Sequence, residues 1–325
     1  MAIYAMRIAV VLLDGVFDTG LATILDAFAT ANELAGLHMA APPQFTVTPV
    51  GFRQPVRTAL GLELPARPAL PAMRPDWAIL PALNTKLPEQ LLASLQRSDL
   101  IEARMQLLAW HGAGTRIAAA CIGTFQLAET GLLNGRDATT TWWLGPLFRQ
   151  RYPEVRLDES RMLVPAGDVV TAGAAIGHLD LALWLIGQAS PELAAIVARY
   201  LLADLRSSQA QYIIPDHLAR ADPLIDRFER WARGRLAAGF SLQAAAQALG
   251  TSPRTLQRRA EAVLGKSPLA YFQDLRVEHA QRLLRGGLDL DSIAVEVGYA
   301  DGATLRRLVR RRLGRGVREL RSSRG

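Results

Sequence analysis

The chain has one cysteine and five histidines among its 325 residues, and these small numbers exclude several kinds of site. A single cysteine cannot form a disulfide within the chain, which fits a protein made for a reducing cytoplasm. The cysteine and the scattered histidines form no cluster with metal-ligand spacing, so we expect no metal site. No glycine-rich loop suited to cradling a phosphate is present. The sequence therefore predicts a protein without a metal or a cofactor.

Long hydrophobic runs are also absent. The apolar run at residues 8–13 is short, Asp14 follows it at once, and no small-residue cleavage site is evident, so we expect no secretory signal. Residues 176–186 are the most apolar helical stretch, but they include His178 and Asp180. They also fall far short of the roughly 20 residues that span a membrane. We therefore expect a cytoplasmic protein with no membrane partner.

What the chain does contain is a helical unit that occurs twice between residues 241 and 324. Each copy starts with a capping residue, Ser241 or Asp289, and then places apolar residues at positions i, i+3, i+4 and i+7 of a helix. These are Leu242, Ala245, Ala246 and Leu249, and then Leu290, Ile293, Ala294 and Val297. Each helix stops at Gly250 or Gly298, because glycine tolerates a left-handed helix end. A turn and an arginine-rich second helix follow, which is the pattern of a helix-turn-helix.

Positive charge is concentrated in the same part of the chain. Residues 233–325 hold 18 Lys and Arg against 8 Asp and Glu, whereas residues 1–232 hold 19 against 22. A basic domain of this kind favours a polyanion as partner, and its apolar helix faces argue against a disordered tail. For any single arginine, a solvated surface position explains the residue as well as a DNA contact does.

The first unit is predicted to read DNA sequence. Ser252 caps its second helix and Pro253 takes the first helical position, so the following side chains would enter the groove first. Arginine can read guanine and glutamine can read adenine. The predicted DNA-binding residues of this unit are Ser252, Arg254, Thr255, Gln257 and Arg258.

The second unit is predicted mainly to anchor the protein on phosphates, because its basic helix begins with small residues that offer little for base reading. Its predicted DNA-binding residues are Gly302, Thr304, Arg306, Arg307 and Arg310. Apolar residues at near-helical spacing predict a long helix over residues 268–285 between the two units. Such a helix would space them onto successive major-groove faces about 34 Å apart.

The first 200 residues alternate strand and helix patterns. Strands are predicted at 6–13, 45–50, 77–80, 116–120, 155–157, 162–164 and 169–171, a Pro-rich loop at 55–75, and helices at 20–37, 88–110, after Cys121 and at 176–187. This alternation predicts an α/β domain with a parallel sheet and helices on both faces. The predicted segments are the α/β domain (1–205), a linker (206–223) and an all-α domain with two tandem helix-turn-helix units (224–325).

Cys121 is the one candidate nucleophile. It follows the apolar strand at 116–120, precedes Gly123 and opens a helix, and a turn of this kind can expose a nucleophile and lower the pKa of its thiol. The alternative is an inert buried thiol, the usual fate of a single cysteine. A nucleophile also needs a base within reach, and His178 is the best candidate.

The C-terminal motifs resemble the AraC/XylS-type DNA-binding domain over roughly the last 100 residues. They are the tandem units, G-K-S-P-L-A-Y-F at 265–272, R-V-E-H-A-Q-R-L-L at 276–284 and I-A-x-x-V-G-Y at 293–299. The chain departs from the family at Leu305, where an aromatic is usual, and at Gly316-Val317, where Ser-Pro is usual. The resemblance implies the fold of both units, with weaker packing of the second.

The N-terminal motifs resemble the PfpI-like domain of the class I glutamine-amidotransferase-like superfamily. They are the opening V-V-L-L-D-G-V-F-D-T-G-L at 10–21, A-A-C-I-G at 119–123 and the stretch at 127–143. In the enzymes of that superfamily a histidine and an acid assist the cysteine, but here Thr141 and Gly20 occupy those positions. The resemblance therefore implies a pocket that binds a small molecule without catalysis. Its candidate residues are Asp18, Cys121, Ile122, Thr141 and Trp142.

Together the two halves resemble GlxA-type regulators, which fuse these domains. The resemblance implies a sequence-specific transcriptional regulator that is not an enzyme, binds a double-stranded DNA operator, responds to a small-molecule effector and forms a homodimer through the α/β domain. RNA polymerase would be a further partner if the protein activates transcription. Two alternatives stay open: a cysteine-dependent hydrolase or amidase that carries a DNA-binding domain, and a nucleoid-type protein that binds DNA without sequence preference.

Overall fold

The chain divides into two compact units in a computed structural model that describes residues 5–38, 43–69, 72–204, 208–214, 218–220, 222–286, 288–313 and 316–317. The first unit comprises residues 1–142 and 152–209, and the second comprises residues 143–151 and 210–325. Of the predicted linker, residues 206–207, 215–217 and 221 lie outside the described residues.

A seven-stranded sheet forms the centre of the first unit. The strands of this unit are β1 (Ala5–Leu12), β2 (Gln44–Gly51), β3 (Val56–Arg57), β4 (Glu63–Leu64), β5 (Arg67–Pro68), β6 (Trp77–Leu80), β7 (Arg116–Ala120), β8 (Asp137–Ala138), β9 (Arg156–Leu157), β10 (Leu163–Ala166) and β11 (Val169–Ala172). The sheet order is β10-β11-β7-β6-β1-β2-β5, and only the β10–β11 pair is antiparallel. Two short ladders, β3–β4 and β8–β9, accompany it.

The helices of the first unit cover both faces of this sheet. They are α1 (Asp18–His38), α2 (Pro88–Ser94), α3 (Ser98–Gly112), α4 (Gly123–Ala128), α6 (Gly177–Ala189) and α7 (Pro191–Tyr200), while α5 (Gly145–Arg151) groups with the second unit. β6 and β11 are buried at every residue, and successive side chains of a strand point to opposite faces, so both faces must be covered. α1 packs with α6 and α7, and α3 and α4 pack on β7. The predicted α/β fold with a parallel sheet is confirmed.

The second unit is helical. Its remaining helices are α8 (Pro223–Arg233), α9 (Leu242–Ala248), α10 (Pro253–Leu264), α11 (Pro268–Arg285), α12 (Leu290–Glu296) and α13 (Gly302–Leu313). The apolar stripes named from the sequence form its core: Ala245 and Ala246 are buried in α9, and Ile293 and Ala294 pack with Leu305 and Val309. The predicted long helix at 268–285 coincides with α11.

Two stretches differ from the sequence prediction. The Pro-rich segment at 55–75 is not only loop, since β3, β4 and β5 lie within it. The helix predicted at 88–110 is two helices, because α2 ends at Ser94 and α3 begins at Ser98 with the Arg97–Asp99 ion pair at the junction. The apolar spacing continues through the break, so periodicity could not show it. Among the described residues, no helix is both long and apolar enough to cross a membrane.

Candidate functional site

Two helix-turn-helix units, α9–α10 and α12–α13, have the local geometry that the sequence predicts. Ser241 Oγ accepts from Ala244 N at 3.3 Å and starts α9, and Asp289 accepts from Ser292 N at 3.0 Å and starts α12. After these helices Gly250 and Gly298 have φ of 66° and 80°, which a side chain would oppose. The chain can therefore turn sharply into the second helix of each unit.

The second helix of the first helix-turn-helix, α10, has one buried and one exposed face. Leu256, Ala260 and Leu264 are fully buried, whereas Arg254 and Arg258 project from the exposed side. Ser252 Oγ accepts from Thr255 N at 3.0 Å and lies 2.9 Å from Thr255 Oγ1, so both hydroxyls are engaged in capping. Gln257 is half-buried and donates to Glu261 Oε1 at 2.5 Å. Arg254, Gln257 and Arg258 thus share one face at the start of the helix, as the sequence prediction requires.

The second helix of the second helix-turn-helix, α13, has more arginines on its exposed face. Arg306, Arg307 and Arg310 are exposed, and the opposite side is buried against α12. Thr304 lies at the capped start, where its N–H donates to Asp301 Oδ1 at 2.7 Å and holds the Asp301 pKa below its usual value. Gly302 is instead buried: its N–H donates to Asp291 Oδ1 at 2.8 Å. The structure therefore brings together the predicted residues of this helix except Gly302, which packs inward.

Not every arginine of the basic helices is exposed for a partner. Arg259 of α10 forms an ion pair with Asp222, a residue that also caps α8 through Leu224 N and Ile225 N. Arg312 of α13 forms an ion pair with Asp274 at 3.0 Å. These two arginines hold helices of the unit together. Arg254, Arg258, Arg306 and Arg310, in contrast, make no ion pair within the described residues.

A groove of about 620 Å³ between α11 and α13 was not expected from the sequence. Leu269, Ala270 and Leu308 supply its apolar wall, and Arg307 and Arg311 supply charge. The sequence shows a run of arginines at the end of α13, but the pattern alone does not tell which of these side chains point into a groove.

The second candidate site is the turn that joins β7 to α4. Cys121 has φ of 55°, its N–H donates to Ala172 O at 2.7 Å, and its carbonyl accepts from Thr140 Oγ1 at 2.7 Å. A Cβ on Gly123 would overlap the Leu80 carbonyl, so only glycine fits this close approach. The sharp strand-to-helix turn predicted for Cys121 is therefore present.

The chemistry of the turn is that of a protonated thiol. Cys121 is buried, and burial raises the pKa of its thiol to about 12, against the smaller opposing effects of the Ile122 N–H, the Thr141 hydroxyl and the Lys86 charge. A thiol with this pKa is almost entirely protonated at neutral pH and is a poor nucleophile.

His178, the candidate base, is hydrogen-bonded at both ring nitrogens. It is fully buried, and burial lowers its pKa to about 4. Its Nε2 accepts from Ala82 N at 3.1 Å, which places the ring proton on Nδ1, 2.6 Å from Ala175 O. The ring also fills the space beside position 20, since a Cβ on Gly20 would lie 2.6 Å from Nε2. The position expected to hold the acid therefore has no room for a side chain.

The five predicted pocket residues are only partly brought together. Cys121, Ile122 and Thr141 are buried neighbours, and the Thr141 hydroxyl lies beside the thiol. Asp18 is half-buried; its Oδ2 accepts from Leu60 N at 3.0 Å, and its buried Oδ1 has no hydrogen-bond partner among the described residues. Trp142 is half-buried at the start of a short 3-10 helix.

Gln209 is a residue that the sequence analysis placed in the linker. Its side chain is fully buried in the first unit, where it donates to Thr140 O at 2.9 Å and Arg161 O at 3.2 Å. A Cβ on Gly173 would overlap it. Since Thr140 also donates to the Cys121 carbonyl, the last residue of the first unit is hydrogen-bonded to the segment beside the Cys121 turn.

Residues 245–323 match the family model of a helix-turn-helix domain. The "HTH-type transcriptional regulator GlxA" of Rhizobium meliloti is 28% identical over 207 residues, which cover 58% of this chain and 60% of that protein. The chain thus spans less than two thirds of this curated relative's length. The predicted resemblance to GlxA-type regulators and the predicted helix-turn-helix domain are confirmed.

Solved structures also match a part of the chain. A protein of Vibrio parahaemolyticus with 18% identity and a TM-score of 0.50 covers 61% of this chain and 99% of its own, and has the same fold. A "THiJ/PfpI family protein" of Pseudomonas syringae, also 18% identical, has a TM-score of 0.48 over 62% of this chain and 76% of its own.

Proposed function

We propose that this chain, whose C-terminal residues form a helix-turn-helix domain, is a sequence-specific DNA-binding transcriptional regulator. The observation that carries the proposal is the exposed face of α10, where Arg254, Gln257 and Arg258 follow a capped helix start. Arginine and glutamine are the side chains that best read guanine and adenine in the major groove. The name of the Rhizobium relative supports the same activity.

The two helix-turn-helix units make different contacts with DNA. α10 reads base edges, because its guanidinium and amide groups stand at the start of the helix, which enters the groove first. α13 supplies phosphate contacts through Arg306, Arg307 and Arg310, since its first turn offers only Ala303 and Thr304 beside the buried Gly302. Phosphate contacts fix the position of the protein and base contacts give specificity.

The α/β unit binds a small-molecule effector and has no enzymatic activity of its own. The protonated Cys121 thiol, the engaged ring of His178 and the filled space beside Gly20 support this assignment. The effector contacts Asp18, Cys121, Ile122, Thr141 and Trp142, and the buried Asp18 Oδ1 is free to accept a hydrogen bond from it. No metal or cofactor takes part.

The active form is a homodimer assembled through the α/β domain (1–205), which the linker (206–223) connects to the DNA-binding domain (224–325). It acts in the cytoplasm, where bacterial DNA lies, because the matched curated relative is bacterial. RNA polymerase is a further partner if binding activates transcription.

Selection from a random DNA library tests the proposal. The purified full chain is mixed with the library at two salt concentrations, and the retained DNA is sequenced. A regulator enriches a defined motif at both concentrations, since base contacts survive added salt better than phosphate contacts. Diffuse enrichment that vanishes at the higher salt would contradict the proposal and favour the nucleoid-type alternative.

A further inference from the structure

A buried arginine lies at the centre of the helix that joins the two helix-turn-helix units. Arg276 is the ninth of the eighteen residues of α11, and only 6% of its surface is exposed. Arginine is almost never buried to this degree unless it is held by several partners. The partners of Arg276 come from α11 itself, from the turn before the first helix-turn-helix and from the turn within the second.

On the side of the first helix-turn-helix, Arg276 hydrogen-bonds to the backbone. Its Nε and Nη2 both donate to Leu236 O, at 3.0 and 2.7 Å. Leu236 lies in the turn between α8 and α9, just before the first helix-turn-helix begins. The guanidinium carbon also lies 4.8 Å from the centre of the Phe272 ring, and that ring packs 5.3 Å from Phe240, the residue before the Ser241 cap.

On the side of the second helix-turn-helix, the guanidinium stacks on Tyr299. The distance to the ring centre is 4.7 Å, and the Tyr299 hydroxyl hydrogen-bonds to Gln273 of α11. Gly298 completes the arrangement, because a Cβ there would overlap Arg276 Nη2 and the Leu236 carbonyl. The turn of the second helix-turn-helix therefore closes directly over the arginine.

Arg276 thus joins α11 to the turn before α9 and to the turn between α12 and α13, in addition to the apolar packing of Ala280 and Leu284 against the second helix-turn-helix. No carboxylate of the described residues forms an ion pair with it, so its partners are one carbonyl and two aromatic faces. A planar guanidinium suits this arrangement, since it donates in its plane and stacks on both faces.

We propose that Arg276 is a positioning residue for DNA binding: it fixes the rotation between the two helix-turn-helix units so that α10 and α13 enter successive major grooves of one site. The proposal rests on the proposed function. Two helices that enter successive grooves must be held about 34 Å apart and in phase with the turns of the duplex. A protein that holds only a tenth of its molecules in that arrangement binds about tenfold more weakly.

The experiment measures the spacing requirement on DNA. The motif from the library selection locates the base pairs that α10 reads. Outside this motif the duplex carries uncharged methylphosphonates except at the phosphates about one turn away that α13 contacts, and 2 or 5 uncharged base pairs are inserted between the motif and these phosphates, up to about half a turn. We expect the wild-type chain to bind the inserted sites at least about tenfold more weakly than the original site. Arg276→Met should bind the original site about tenfold more weakly than wild type and should lose most of the penalty for insertion.

Arg282→Met is the matched control, because this arginine of the same helix is exposed and its side chain, among the described residues, hydrogen-bonds to His279 alone. It should keep the wild-type insertion penalty. Circular dichroism and thermal melting establish that each variant is folded. If Arg276→Met does not fold, Tyr299→Leu, which removes one stacking face, should show the same loss of the penalty.

A folded Arg276→Met or Tyr299→Leu chain with the full insertion penalty would overturn the inference, and so would an Arg282→Met chain that behaves like Arg276→Met. Failure of the proposed function looks different, because the wild-type chain itself would then select no motif.

Discussion

Gly20→Ala is expected to destabilise the α/β unit, although replacing glycine by alanine within a helix normally gains about 0.5–1 kcal/mol. The added Cβ would lie 2.6–2.8 Å from three atoms of the His178 ring, well inside normal carbon contact distances. The ring cannot move aside without breaking its hydrogen bonds with Ala82 and Ala175. Overpacking of this kind costs about 1–3 kcal/mol, so the net free energy of unfolding should fall by about 1–2 kcal/mol.

Urea unfolding followed by tryptophan fluorescence measures this change, since Trp77 and Trp110 are fully buried in the α/β unit. A chain of two units need not unfold in one step, so the transition that these tryptophans report is compared. Gly36→Ala, in the same helix, is the matched control because nothing lies within 4 Å of the Cβ that it adds. It should raise the free energy of unfolding by about 0.5–1 kcal/mol.

The same substitution in a His178→Ala background isolates the cause. Without the ring, Gly20→Ala should no longer destabilise, which corresponds to a coupling energy of about 1–3 kcal/mol between the two positions. A Gly20→Ala chain as stable as wild type, or a cost that persists without the ring, would refute the reasoning. Position 20 would then have room for the missing acid.

Four further predictions concern the buried groups and the DNA-binding domain. The His178 pKa is about 4 in the folded chain and 6.5 in the unfolded chain, so the unfolded chain binds more protons between these pH values. The free energy of unfolding should therefore fall by about 3 kcal/mol from pH 6.5 to pH 4. Urea titrations at each pH measure this fall, and His178→Gln should remove it. The Cys121 thiol, with a pKa of about 12, should react with iodoacetamide at pH 7 far more slowly in the folded chain than in urea, and comparable rates would contradict the buried thiol. Arg258→Ala should lower discrimination at one or two base pairs by about 1–3 kcal/mol, whereas Arg307→Ala should weaken all sequences and reduce the salt slope by about one phosphate, in binding titrations at several salt concentrations. Arg259→Ala should instead lower the melting temperature, because it leaves Asp222 buried without its ion-pair partner.

Sequence periodicity predicted those parts of the fold that depend on neighbouring residues. β6 and β7 were predicted with the bounds that the structure has, because each is a short apolar run of strand length beside turn residues. The start of α10 followed from Ser252-Pro253, where cap and proline lie side by side, and α11 followed from its apolar residues at near-helical spacing. The same indication at Ser190-Pro191 and Asp222-Pro223 marks α7 and α8, which the sequence analysis passed over.

Long-range contacts explain what the sequence could not show. Resemblance identified Gly20 and Thr141 as the positions of lost helpers, but only the fold places the His178 ring against Gly20, more than 150 residues earlier in the chain. Likewise, nothing local distinguishes Arg276 from the exposed arginines of the same domain. Its burial depends on Leu236, Phe272 and Tyr299, which only the folded unit assembles around it.

The anchored side chain of Gln209 bears on where the chain can be cut to obtain its α/β half as a separate fragment. A fragment ending at residue 205, the boundary predicted from the sequence, would lack the amide that donates to Thr140 O and Arg161 O and would leave a cavity beside Gly173. Each buried polar group left unpaired costs about 1–3 kcal/mol. A fragment that continues through Gln209 keeps these hydrogen bonds, so the chain is best truncated between residues 209 and 210.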